Sequence, residues 1–226
     1  MHLLAKPTIA ALVLGAALGA QAAVTVGVDT RSDWIGFMNW WDMPADGGGF
    51  SGQGFWGVAD LDARFDANTL TLAPNTSTDR HAGDNPLWWK PDGSSNKIMS
   101  ANLLVIDDAL AGQDIVFAGT VLSNTLAGDY RSSAFIRAFN ADFSAMLGSA
   151  EVVLQGGQAF AVHFQSLPDH VHIQYGFDTI GPNARAGNSL GSVVISAVPE
   201  PSAFAMLAAG LLGVGLVRAR RRSGSS

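Results

Sequence analysis

Two pairs of adjacent tryptophans, Trp40-Trp41 and Trp88-Trp89, carry the most specific chemical potential in this chain. An indole stacks on the apolar face of a sugar ring, while nearby amides and carboxylates meet its hydroxyls. Asp and Asn neighbour these pairs, and all six tryptophans precede residue 90. On a strand, neighbouring side chains point to opposite faces, so Trp40 and Trp41 cannot share one core. Trp88-Trp89-Lys90 lies between Pro86 and Pro91, which reads as a loop. Exposed, these rings would form a sugar-binding platform. The alternative is that one ring of each pair is core and a loop covers the other.

Carboxylates offer a second chemistry. Asp29, Asp33, Asp42 and Asp46 cluster around the first strands, and oxygen ligands from loops can hold Ca²⁺. Solvated turn acids are the alternative, and no twelve-residue calcium loop fits: Asp60, Asp62 and Asp66 lack the glycine and the closing Glu. His163, His170 and His172 could ligate a transition metal; His170 and His172 would share a strand face by their spacing of two. Gly52-Gln53-Gly54-Phe55-Trp56-Gly57 matches G-x-G-x-x-G, but a dinucleotide site needs a strand before it and a helix after it. Here it reads as a flexible turn feeding a strand. No G-x-S-x-G, H-E-x-x-H or cysteine nucleophile is present. A glycosidase would need two acids flanking a sugar, and nothing in the spacing locates such a pair. The expectation is a non-enzymatic protein.

The elements that must position these groups read as short strands. Segments of alternating or β-branched character are Val24–Thr30, Trp34–Trp41, Phe55–Asp66, Thr69–Ala73, Ser100–Ile106, Asp114–Ser123, Tyr130–Asn140, Glu151–Leu154, Ala159–Gln165, Val171–Phe177 and Ser192–Ala197. Gly, Pro, Asn and Asp separate them, and no helical periodicity persists for three turns. The expected fold is all-β, a jelly-roll-like β-sandwich. In Phe55–Asp66, alternation assigns Phe55, Gly57, Ala59, Leu61, Ala63 and Phe65 to the core. Asp114–Ser123 is apolar on both faces and is expected to be central and well covered.

Charge divides the chain. Residues 23–197 hold eighteen acids and eight bases, a net charge of about −10, against −6 for the whole. That field repels nucleic acid and favours cations or neutral ligands. Only Glu151 among those acids is Glu, and Asp suits turns more than helices. There is no cysteine, so neither disulfides nor zinc-thiolate sites exist.

Both ends read as appendages. Met1–Lys6, the apolar run Thr8–Gly19 and Ala20-Gln21-Ala22 have the form of a secretory signal cleaved after residue 22. At the other end, Ser202–Val217 is an apolar helix of roughly 24 Å, short of a ~30 Å hydrocarbon core. Arg218, Arg220, Arg221 and Arg222 follow and are expected to stay cytoplasmic. The expected division is 1–22, an exported domain over 23–197, and a tail over 198–226.

Pro199-Glu200-Pro201, the short apolar helix and the terminal arginines resemble the PEP-CTERM sorting signal of exported Gram-negative proteins. The resemblance covers about the last 25 residues. It implies processing by exosortase, a membrane enzyme, with Pro199, Glu200 and Pro201 as recognised substrate positions. The resulting expectation is a protein exported across the inner membrane, cut by signal peptidase, held facing the periplasm and then sorted to the surface or matrix. Its expected association is with extracellular polysaccharide. A carbohydrate-binding module using Trp40, Trp41, Trp88 and Trp89 is one alternative, and a glycan hydrolase is another.

Overall fold

Strand periodicity decides the architecture. The computed structural model describes residues 23–197. Twelve strands form among them: β1 (Val24–Val26), β2 (Ile35–Asp42), β3 (Phe50–Trp56), β4 (Ala63–Asp66), β5 (Thr69–Leu72), β6 (Lys97–Ile106), β7 (Asp114–Asn124), β8 (Arg131–Phe139), β9 (Met146–Val153), β10 (Ala159–Gln165), β11 (His172–Pro182) and β12 (Val193–Ser196). The α-helix among these residues, α1 (Ser77–Ala82), has six residues. The described residues are all-β, as the sequence implies. Among the described residues no helix is long and apolar enough to cross a membrane. The expected leader and the apolar segment Ser202–Val217 lie outside the described residues.

Two six-stranded sheets enclose one core. The first runs β3-β2-β6-β11-β8-β9, antiparallel throughout. The second runs β1-β7-β12-β5-β4, with β10 along the other edge of β7. β1 joins β7 in parallel. In β6 the odd positions Met99, Ala101, Leu103 and Val105 are buried against the second sheet, with Ile173, Tyr175 and Phe177 of β11 beside them. Ile115, Phe117 and Val121 of β7 face them from the other side. Phe117 sits at the centre, 5.2 Å from the rings of both Tyr175 and Phe177 and 5.4 Å from Phe160. Each such aromatic contributes about 1.5–3 kcal/mol through burial alone.

Three expectations change. Phe55–Asp66 is not one strand. β3 ends at Trp56, a 3-10 turn spans Val58–Leu61, and β4 belongs to the other sheet. Leu61 and Ala63 are buried as expected, but Phe55 is 77% exposed. The crossing depends on Asp62, at φ 56°, whose carboxylate accepts a hydrogen bond from the Thr76 hydroxyl and pairs with Arg80 at 2.6 Å. Asp tolerates that left-handed conformation better than most residues, and the alternation hid it. Second, Gly52 and Gly54 lie within β3 rather than in a flexible turn. A Cβ on Gly52 would collide with the indole of Trp40. Third, β7 is central, but its outer face is open, with Leu122 51% exposed.

Candidate functional site

The outward positions of the first sheet should be solvated, yet several are buried and polar. Asn102 of β6 is 1% exposed and Ser100 is 4% exposed. Register places Phe37, Asn102, Asp178 and Ser133 in one row across β2, β6, β11 and β8. Arg137, two rows along the same face, donates from its guanidinium to Asn102 Oδ1 at 2.7 Å. Asn102 in turn donates to the Ser100 carbonyl at 3.0 Å, and Ser100 Oγ donates to Asp178 at 2.7 Å. The Arg137 and Asp178 charges are 3.8 Å apart. Burial pushes the Asp178 carboxyl above its ordinary value, opposed by the Ser100 bond and the Arg137 charge. The floor of this face is therefore a fixed polar network.

Above that floor runs a groove of about 510 Å³. Phe37 and Phe55 form one wall, edge to face at 5.1 Å. Phe139 and Phe143 form the other, 5.8 Å apart. Asn39, Gln53, Asn102, Gln174 and Arg137 supply amide and guanidinium groups between them, and Leu104 and Ile106 supply apolar floor. Phe143 is placed by a tight turn: Asn140 accepts from Ala145 N at 3.0 Å, and Phe143 has φ 58°. A non-glycine residue held there costs about 1–3 kcal/mol. The Phe143 ring stacks on His172 at 4.0 Å, with planes 6° apart. His172 bonds through Nδ1 to Asp108 at 3.0 Å and donates from Nε2 to the Ala141 carbonyl at 3.1 Å. The Asp108 bond holds its pKa above the ordinary value.

The tryptophans expected to form a platform are not brought together on one surface. Trp88 and Trp89 lie in a turn as expected, but they are 8% and 4% exposed and belong to the core. Loop backbone does not imply exposed side chains. Trp40 and Trp41 point to opposite faces of β2. Trp40 packs inward at 5.5 Å from Trp88, and Trp41 lies half-buried on the outer face, 5.8 Å from Phe50. The aromatic walls are phenylalanines instead. Their signal was the period of two in Phe37-x-Asn39-x-Trp41 and Asn102-x-Leu104-x-Ile106, legible only once the outer face is known.

The carboxylates do not converge either. Asp29 is forked by Arg31 at 2.8 and 3.1 Å. Asp42 pairs with Lys97 and accepts from Ser51 Oγ, and these bonds hold it below the usual carboxylate range. Asp46 pairs with Lys90 at 2.6 Å, and Asp33 is exposed. His170 is buried, accepting at Nδ1 from Leu167 N at 3.1 Å, and it precedes β11 rather than sharing a strand face with His172. Among the described residues no group of three or more His, Cys, Asp or Glu could hold a metal.

Pro199, Glu200, Pro201 and the arginines Arg218, Arg220, Arg221 and Arg222 lie outside the described residues. No curated protein matches the chain. Residues 197–222 match the PEP-CTERM protein-sorting motif, which implies export, membrane-associated sorting and exosortase as the processing partner. The chain carries a PEP-CTERM sorting signal at its C-terminal end.

Proposed function

We propose that this protein is a surface-sorted, non-enzymatic cargo that holds a neutral glycan of the extracellular matrix in the groove of its first sheet. Residues 1–22 act as a leader removed by signal peptidase. Residues 198–226 hold the chain at the membrane until exosortase acts at Pro199-Glu200-Pro201. The observation that carries the glycan reading is the pairing of two phenylalanine walls with an amide-lined floor. Ring faces of a sugar suit the walls, and its hydroxyls suit Asn39, Gln53 and Gln174. The net charge near −10 of residues 23–197 disfavours an anionic polymer. Asp178 is engaged by Ser100 and Arg137, an arrangement that supports holding rather than acid catalysis. Trp41 extends the aromatic surface on the same face of β2.

A panel of neutral polysaccharides, read by pull-down and calorimetry on the processed protein, tests this. Binding that falls about tenfold, some 1.4 kcal/mol, in Phe139→Ala is expected. Absence of binding to every polymer would sink it.

A further inference from the structure

A second depression, about 340 Å³, lies where β3 gives way to the turn Val58–Leu61. Two indoles wall it: the rings of Trp56 and Trp88 are 6.4 Å apart with planes at 85°. Phe55 forms its outer side and also lines the groove, so the two depressions share a wall. The opposite side is polar. His81 Nε2 stands 3.3 Å from the Asp60 carboxylate. That carboxylate lies over Gly57, where a Cβ would approach to 2.9 Å. Thr78, also lining the pocket, is buried, and its hydroxyl has no hydrogen-bond partner. A buried hydroxyl left unpaired is unfavourable, and a ligand hydroxyl would offset that.

The frame of this pocket is anchored independently of any ligand. Asp62 binds Thr76 and Arg80, Asn75 donates to the Asp60 carbonyl at 2.6 Å, and Asp79 pairs with Arg185 at 2.6 Å. The groove is elongated across five strands, whereas this pocket is a shorter and more open depression bounded on one side by α1 and Trp88. We propose that the pocket takes the terminal ring of the neutral glycan whose inner rings lie in the groove. This rests on the glycan reading above. The half-buried ring of Trp56, backed by Trp88, takes the apolar ring face. Asp60, His81 and Thr78 meet the hydroxyls that only a chain end leaves free.

The test compares laminarin, dextran and galactomannan with the same polymers cut to short oligomers, at equal sugar mass, on the processed protein. Tryptophan emission reports the pocket when it is read in a Trp41→Phe background, because Trp56 and Trp88 line the pocket and the groove's own lining contains phenylalanines. Pull-down reports the groove. Oligomers are expected to bind at least fivefold tighter per sugar mass than their parent polymer. Thr78→Val and the exposed-site variant His81→Ala should each abolish that advantage and leave polymer retention unchanged. Equal binding of polymer and oligomer, unaltered in both variants, overturns the pocket while the groove reading stands. An emission response to oligomers that Thr78→Val removes, without polymer retention, overturns the groove reading and with it the joint occupancy proposed here. Silence in both readouts overturns both.

Discussion

The guanidinium carbon of Arg137 stands 3.7 Å above the centre of the Phe135 ring. Phe135 is 1% exposed although it points outward from β8, because Arg137 covers it. One cation thereby seals an aromatic ring, bonds Asn102 and faces the carboxylate of Asp178. Such contacts gain strength when desolvated, as here.

Arg137→Ala should therefore destabilise the domain by about 2–4 kcal/mol, by uncovering Phe135 and leaving Asp178 and Asn102 without their partner. The double variant Arg137→Ala with Asp178→Asn should recover part of this loss, since the orphaned charge is removed. Urea denaturation measures both. Additive effects would contradict the coupling.

Gly176 and Gly52 make a contrasting pair. A Cβ on Gly176 would meet the Leu103 carbonyl and Leu104 Cα, both backbone atoms of the neighbouring strand. The atoms nearest to a Cβ on Gly52 all belong to the Trp40 side chain, which can yield by a small shift more readily than backbone. Gly176→Ala should cost more than about 3 kcal/mol or prevent folding, and Gly52→Ala about 1 kcal/mol. Melting temperatures of the two variants give the comparison, and equal losses would refute it.

His172 predicts a pH response. Both of its partners, the Asp108 carboxylate and the Ala141 carbonyl, are acceptors, an arrangement that favours the doubly protonated ring. Its folded pKa is raised, chiefly by the Asp108 bond. The associated stability is complete below the unfolded value near 6.5 and is lost as the pH rises through the folded value. Because Phe143 stacks on this ring, the groove wall should loosen in the same window. Proton NMR of the His172 ring, with melting curves of the parent and of His172→Gln from about pH 6 to 9, checks this. A titration at or below the ordinary value would oppose it.

The sorting signal makes its own prediction. Replacing Pro199 and Glu200 by alanine should leave the chain in the membrane fraction at the mass of the unprocessed tail. Fractionation and intact-mass measurement decide, and unchanged processing would count against recognition at these positions.

Much of the sandwich could be read from alternation alone. Ala159–Gln165 has the same limits in sequence and structure, and β2, β5 and β7 differ by a residue or so at their ends. The exceptions share a cause. Local pattern says that Phe55 and Ala63 lie on one face, but cannot say that the chain changes sheets between them through a left-handed Asp62. It marks Trp88-Trp89 as a turn, but cannot say that the turn folds back beneath Trp40.

By itself the sequence determined that the chain carries a sorting signal and how its strands alternate, since a sorting signal is linear and a strand's period is local. Which apolar face is core and which lines a groove was decided only by tertiary structure. Phe37, Asn102 and Arg137 are separated by long stretches of chain, and only the pairing of β2, β6, β11 and β8 brings them to one surface. That pairing depends on the whole core packing at once, a non-local sum that no single segment encodes.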